Sequence, residues 1–279
     1  MISLKVSIVI YDTKLDLLNK CISSIKHSFN IQSRIEIVDH GKIDLKNTVE
    51  NKANDVYYFH NPSNPGYGAG NNSSITRSIL EKYRYHLVIN PDVYFEPNVL
   101  NGLLQIMEVN SKVGLVSPKI FSQDGELQYL CKLIPKPIDL ILSLILPQPF
   151  KKILLNKFQL RFSKYNSRML VPNLSGCFML IRVSYLQQVG LFDQRFFLHM
   201  EDIDLSRRLF NVCDCVFVPD FKITHLHNAE SKRSLKAFII HLSSSIRYFN
   251  KWGWFRDKNR DYLNSKVLLE NWPGNHFGK

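Results

Sequence analysis

Hydrophobic and polar positions follow two rhythms along this chain. The run "KVSIVIYD" (5–12) is short, apolar and β-branched, the pattern of a strand buried on both faces. Directly after it, Leu15, Leu18, Ile22 and Ile25 recur at helical spacing. "RIEIVDHG" (34–41) predicts a second strand that ends in Asp39 and Gly41, and "DVYYFHNP" a third. A glycine-rich loop follows at 64–72, then a helix from about Ser73 to Tyr83 and the strand "YHLVINPD" over 85–92. "NVLNGLLQIMEVN" and "VGLVSPKI" keep the alternation going. Strand-helix alternation of this kind predicts an open, mostly parallel α/β sheet over residues 1–125. Ligands of such sheets bind beyond the carboxyl ends of the strands, where Asp12, Asp39 and Asp92 all fall.

Residues 126–170 break the rhythm. They are apolar, punctuated by proline, and basic without a single acid from Lys151 to Arg168. Two readings stand side by side: the solvated face of an ordinary insertion, or an amphipathic surface for anionic lipid or a lipid-linked acceptor. Residues 171–235 return to strands and helices as a second half of the same domain, and 236–279 form a helical tail. In that tail "SLKAFIIHLSSSIRYFNKWGWF" reads as a helix with aromatics at its end. The chain has no internal repeat and no low-complexity segment.

Composition narrows the choice of partner. With 45% hydrophobic and 12% aromatic residues, the 279-residue chain can bury a large core, which excludes disorder. Lys+Arg 36 against Asp+Glu 24 gives a net charge of +12, which suits nucleic acid, a phosphorylated substrate or an acidic membrane surface. No zinc-finger, RRM, KH or helix-turn-helix signature supports nucleic acid. The first apolar run, "VSIVI", has no small-residue cleavage site behind it and is no signal peptide. "IDLILSLIL" (138–146) has nine residues, against the roughly 20 that a spanning helix needs. A cytoplasmic protein, peripheral on the inner face of a membrane, is the expectation. Cys213 and Cys215 form a CxC with no matching ligand pair, so reduced, buried thiols are expected rather than structural zinc.

Four stretches carry candidate chemistry. In "FFLHMEDIDLSRRL" (196–209) the acids Glu201, Asp202 and Asp204 stand between an apolar run and two arginines. Acids suit the first turn of a helix, whose dipole they complement. Asp202 shares a helical stripe with Leu205, Leu209 and Val212 and is expected to point inward, where burial beside aromatics suits a proton acceptor. Capping and catalysis both stay open for it, whereas Asp204 is expected in a surface i,i+4 pair with Arg208. "LVINPDV" brings Asn90 and Asp92 to a strand end, where a carboxylate facing a nucleotide diphosphate suits Mg²⁺ or Mn²⁺; a turn cap is the alternative. In "NPSNPGYGAGNN" (61–72), Gly66, Gly68 and Gly70 let backbone approach a phosphate or sugar, or simply make a turn. "KITHLH" puts His225 and His227 on one side of a strand, and either completes a metal site begun by Asp92 or stays structural.

In order, "VSIVIYD", "IVDHG", "NPGYGAGNN", "INPDV", "SGCFMLIR", "VGLFDQRFFLHMEDIDLSRRL" and a trailing His225 to Ser231 resemble the family 2 glycosyltransferases. The nearest likeness is to bacterial rhamnosyltransferase-type members that build O-antigen and other surface polysaccharides. With "RYFNKWG" (247–253), it covers about residues 5–253. The resemblance implies a GT-A-type single domain, a nucleotide-diphospho-sugar donor, Mg²⁺ or Mn²⁺, and inversion at the anomeric centre. Asp39 would read the nucleobase, and Tyr11, Asp12, Gly66, Gly68, Gly70, Asn72, Asn90 and Asp92 would surround the donor. Asp92 would hold the metal with His225 nearby, and Glu201-Asp202 would be the catalytic pair with Asp202 as base. Ser175 and Gly176, by their size, would leave room for the acceptor. Asn90-Pro91-Asp92 stands where the family usually has DxD, and Asp39-His40-Gly41 where Asp-Asn-Gly is usual.

The reaction so implied moves a sugar, first of all L-rhamnose from dTDP-L-rhamnose and alternatively a hexose from a UDP-hexose. The acceptor would be a polyprenyl-linked saccharide in bacterial lipopolysaccharide synthesis. A nucleotidyltransferase would need a phosphate-gripping Lys or Arg in 64–72, which is lacking. A non-catalytic scaffold is disfavoured by the intact Asp92 and Asp202.

Overall fold

Strand β1 (Ile2–Ile10) is buried on both faces, with Leu4, Val6 and Ile8 on one side and Lys5 and Ser7 on the other. Around it the computed structural model describes residues 2–28, 31–49, 55–140, 147–226 and 235–271. The first half reads α1 (Leu15–Lys26), β2 (Ile31–Asp39), α2 (Lys46–Val49), β3 (Val56–His60), α3 (Tyr67–Leu80) and β4 (Tyr85–Ile89). It continues with β5 (Val93–Phe95), α4 (Asn98–Val109) and β6 (Val113–Phe121). The second half adds α5 (Gln148–Phe158), β7 (Met169–Leu170), β8 (Phe178–Arg182), α6 (Val183–Val189), α7 (Glu201–Phe210) and β9 (Asp214–His225). Two helices close the chain, α8 (Leu235–Trp252) and α9 (Lys258–Asn271).

All nine strands of the described residues join one sheet in the order β3-β2-β1-β4-β8-β6-β9-β5, with β7 paired to β9. The parallel arrangement expected for the first half holds for β1 to β4. Beyond β4 the sheet is mixed, because β8 inserts antiparallel between β4 and β6. A strand from the second half thus separates two strands of the first. Alternation along one segment has no way to reveal such an insertion.

Two cores lie on the two faces of this sheet. Leu87 and Ile89 of β4 face α1 and α4, while Val88 between them faces α3, α6 and α7, as the period-two geometry of a strand requires. Cys131, Leu133, Ile134, Leu160 and Tyr165 of the 126–170 stretch are buried in the second core, so that stretch is partly integral to the domain. Phe150 and Ile153 of α5 remain exposed. Residues 141–146 of the apolar run lie outside the described residues, and no described helix is long and apolar enough to cross a membrane.

The glycine-rich segment differs from the loop expected over 64–72, because α3 already begins at Tyr67. A Cβ on Gly68 would come within 2.9 Å of Phe192 Cβ, and one on Gly70 within 2.7 Å of His40 Nε2. Each glycine costs a helix about 0.5–1 kcal/mol. The close approach of α3 to β1 and to the 192 segment offsets that cost.

At the other end, Arg207 of α7 makes a two-pronged bond to Asp257 (Nη1–Oδ2 2.7 Å, Nη2–Oδ1 2.6 Å) between α8 and α9. Its guanidinium carbon lies 3.8 Å from the Trp252 ring centroid. Both charges are buried, and removing one partner would strand the other. Arg207→Ala is expected to lower unfolding free energy by about 3–5 kcal/mol in urea titration; a loss below about 1 kcal/mol would contradict this account.

Candidate active site

The carboxyl ends of β1, β2 and β4 meet along one edge, since Ile10 pairs with Asp39 and Ser7 with Val88. Tyr11 is exposed there, and Asp12 holds a left-handed φ of 48°. Asp39 lies beneath them, buried. Its Oδ1 accepts from Gly41 N at 2.7 Å and its Oδ2 from Tyr58 Oη–H at 2.6 Å. A Cβ on Gly41 would press on Asp39 and Asp12 at 2.9 and 3.3 Å, so glycine keeps this corner open. His40 turns inward instead, its Nδ1 2.8 Å from the Asn61 carbonyl.

At the end of β4, Asn90 and Asp92 face His225. The pairing of β5 with β9 puts Val93 opposite His225, which fixes that approach. His225 Nε2 lies 3.5 Å from Asp92 Oδ1 and 3.4 Å from Asn90 Nδ2. On its other side Gln128 donates Nε2–H to the His225 carbonyl at 2.8 Å, which turns Gln128 Oε1 towards His225 Nδ1 at 3.1 Å. That geometry assigns the ring proton to Nδ1 and turns the Nε2 lone pair towards Asp92. A carboxylate and a neutral imidazole oriented from behind are a fitting donor pair for Mg²⁺ or Mn²⁺, which complete their shells with water and phosphate oxygens. No cluster of three or more His, Cys, Asp or Glu occurs among the described residues, and His227 lies outside them.

Tyr67 joins this corner to α7. Its hydroxyl is 2.8 Å from the Gly176 carbonyl, to which it donates, and 3.1 Å from Asn90 Oδ1. Burial first, then the charge of Glu201, holds the Tyr67 phenol well above its usual pKa, so it stays a donor. Gly176 N in turn donates to Asp202 Oδ2 at 3.0 Å. A Cβ on Gly176 would lie 3.3 Å from Asp202 Cβ, so the bond relies on glycine there. Asp92 and Asp202 therefore lie at the two ends of one run of polar contacts, hydrogen-bonded from Asn90 to Asp202. Both charges also reach Cys177, whose thiol burial raises and these two carboxylates push further up.

The three acids of α7 sort themselves differently from expectation. Asp204 is no surface residue: it is 0% exposed, bound by Arg208 Nε at 2.9 Å, Lys251 Nζ at 2.6 Å and Trp252 Nε1 at 2.8 Å. The i,i+4 pair with Arg208 exists, yet the partners that permit burial come from more than 40 residues away. Asp202 is half-buried, while the fully inward position falls to Glu201, 4% exposed. Val212, expected on the buried stripe, is exposed, because α7 ends at Phe210. Two consecutive left-handed residues, His199 (φ 69°) and Met200 (φ 70°), deliver the acids to the cleft. Such strain in non-glycine residues persists only where surroundings enforce it.

Other expected donor-site residues hold structure together. Asn72 clamps the backbone of Phe192 with both ends of its amide, at 2.8 and 2.9 Å. Gly66, with φ 104°, lets Tyr67 N reach the Phe197 carbonyl at 2.9 Å. Ser175 is half-buried beside Gly176. Sequence reasoning passed over Tyr67 and Gln128. A bulky tyrosine flanked by Gly66 and Gly68 was a readable signal, whereas nothing in the sequence marks Gln128. A cavity of about 510 Å³ lies elsewhere, lined by Gln105, Ile106, Arg168 and Phe221.

No family model matches the chain. It is 31% identical over 210 residues to rhamnosyltransferase WbbL of Escherichia coli (strain K12), spanning 71% of this chain and 76% of that protein. It is also 31% identical over 152 residues to an N-acetylglucosaminyl-diphospho-decaprenol L-rhamnosyltransferase of Mycobacterium tuberculosis (strain CDC 1551 / Oshkosh), spanning 52% of this chain and 47% of that one. A crystal structure of GalNAc-T7 with UDP, GalNAc and Mn²⁺ superposes over 96% of this chain and 51% of that chain, with a TM-score of 0.67 at 14% identity. At that identity the likeness speaks to the fold.

Burial, and then the Asp202 charge, push the Glu201 carboxyl up to about 8. The folded chain therefore keeps a proton that the unfolded chain releases near the ordinary carboxylate value. Stability from this group is complete below that value and is lost as pH rises towards 8. Replacing the acid by a neutral isostere, Glu201→Gln, is expected to flatten the fall in Tm between pH 5 and pH 8; identical slopes in both proteins would refute it.

Proposed function

The chain belongs to the family 2 glycosyltransferases, in their bacterial rhamnosyltransferase-like branch, and from that premise we propose that it transfers L-rhamnose from dTDP-L-rhamnose to a polyprenyl-linked saccharide. The reaction would serve bacterial O-antigen or lipopolysaccharide synthesis, with the protein peripheral on the inner face of the membrane. The observation that carries this reading is the path from Asp92 through His225, Asn90, Tyr67 and Gly176 to Asp202. It supports a reading in which Asp92 binds the cation and Asp202 accepts the proton on one cleft, as a single displacement requires. The decaprenol-linked acceptor in the name of the mycobacterial relative supports the lipid-linked substrate.

Asp202 is suited to the base. Its Oδ2 accepts from Gly176 N and its Oδ1 from Ile203 N at 2.8 Å, which orients the carboxylate and still leaves lone pairs on both oxygens. The acceptor hydroxyl attacks the anomeric carbon from the face opposite the nucleotide diphosphate. Its proton passes to Asp202, and the bond to the diphosphate oxygen breaks with its electron pair. One displacement inverts the centre and needs one base. Asp92 and His225 would hold a divalent cation, which would supply charge neutralisation for the leaving diphosphate. Gln128 holds the Nδ1 side of His225 and so turns Nε2 to that contact. Asp12 and Asp39, with Gly41 between them, form the corner for the nucleoside.

Asp202→Asn is expected to preserve dTDP binding and to cut turnover about a hundredfold or more; turnover within a few-fold of the parent would refute the assigned base. In calorimetry, Asp92→Ala is expected to abolish the gain in dTDP affinity that Mn²⁺ gives the parent, and an unchanged gain would remove Asp92 from the cation site. A thermal-shift screen of dTDP- and UDP-sugars identifies the donor. A larger shift with UDP-hexoses would move the assignment to that class, which the UDP in the GalNAc-T7 structure supports.

A further inference from the structure

Helix α8 has two faces of opposite kind. The inner face holds the segment that leads into α7. Ser244 Oγ donates to the Leu198 carbonyl at 2.8 Å, and the His241 and His199 rings meet edge to face with centroids 5.2 Å apart. Lys251 Nζ reaches Asp193 at 2.8 Å and Asp204 at 2.6 Å. The helix thus grips residues 193–204 along its length, up to the acids of the cleft.

The outer face carries Leu235, Phe238, Ile239, Leu242 and Ile246, each between 41% and 74% exposed. At roughly 100° per residue these five fall within an arc of about 100°, a continuous stripe some ~17 Å long. Scattered apolar residues on a surface need no explanation, but an ordered stripe does. Phe255, just beyond the helix, is exposed as well.

Charge decides what covers this stripe. Residues 235–252 contain no acid, and Lys236 and Arg247 stand exposed along one border. A second copy would set two acid-free, basic helices of a +12 chain face to face, which repulsion opposes. An anionic bilayer satisfies both features, accepting the apolar stripe below its headgroups and attracting the cations at its surface.

We infer that the outer face of α8 docks on an anionic membrane surface and, through its grip on residues 193–204, sets the Asp202 cleft towards a lipid-linked acceptor. The second half of this inference rests on the proposed acceptor; the docking itself does not. It also assigns membrane contact to the tail helix, beyond the 126–170 stretch that the basic run first suggested.

The test is flotation of the full chain with phosphatidylcholine vesicles with and without phosphatidylglycerol, alongside light scattering in solution. The parent is expected to float with phosphatidylglycerol vesicles and to stay behind with phosphatidylcholine alone. Phe238→Asp combined with Leu242→Asp is expected to cut the partition coefficient about tenfold or more, and Lys236→Glu about threefold. Circular dichroism and dTDP binding unchanged from the parent would show that both variants are folded. The double variant should keep its turnover on a water-soluble saccharide acceptor and lose it on a vesicle-embedded one. Flotation of the double variant equal to that of the parent would overturn the inference. So would a parent dimer that the double variant converts to monomer, since α8 would then be an interface between copies. An Asp202→Asn chain that floats normally yet keeps its turnover would sink the proposed base while leaving the docking face intact.

Discussion

Burial of the Asp204 charge is the constraint on which the second half of the molecule depends. A carboxylate without solvent is tolerated only when its lone pairs are filled and its charge is opposed. Arg208 from the same helix, with Lys251 and Trp252 from α8, meets both needs. These contacts fix the rotation of α7 and the position of α8 together. Arg207, one residue before Arg208, ties α7 to Asp257 in the same way. With both charges locked, the helix has no freedom to present another residue to the cleft. Of its three acids, Asp202 alone is left half-exposed, at the end of the network.

The cleft is organised on the same economy of neighbours. Tyr67 and Gly176 bring Asn90 and Asp202 into one path, although they belong to two helices, a strand end and a loop. Gln128 acts one layer back. By using both ends of its amide on His225, it fixes which ring nitrogen faces Asp92. The cleft therefore combines a rigid floor, set by strand register, with side chains oriented by partners one layer back. That division is what a displacement reaction favours, since misplacement by a fraction of an ångström is costly in rate.

Glycine serves the same end through the space it leaves open. At Gly176 the missing side chain allows a backbone N–H to reach Asp202, and at Gly68 and Gly70 it allows α3 to lie against Phe192 and Val9. The helix that carries Tyr67 is thus set deep enough for its hydroxyl to reach both Asn90 and Gly176. A looser α3 would keep its secondary structure and lose that bridge. The two faces of α8 extend the logic outward: the face that grips residues 193–204 is polar and specific, and the face turned away is apolar and continuous.

The sequence by itself determined the features that depend on neighbouring residues. Period-two and period-3.6 patterns marked the strands and helices, the strand ends named Asp39, Asn90 and Asp92, and motif order identified the family. Leu205 and Leu209 were legible as core because burial of a helical stripe is a local property. Tertiary structure alone decided the insertion of β8 beside β4, the burial of Asp204, the exchange of inward positions between Glu201 and Asp202, and the parts played by Tyr67 and Gln128. Each of those rests on a contact between residues separated by tens of positions or more. Whether a charge is affordable in a protein interior depends on partners that periodicity along one segment does not contain.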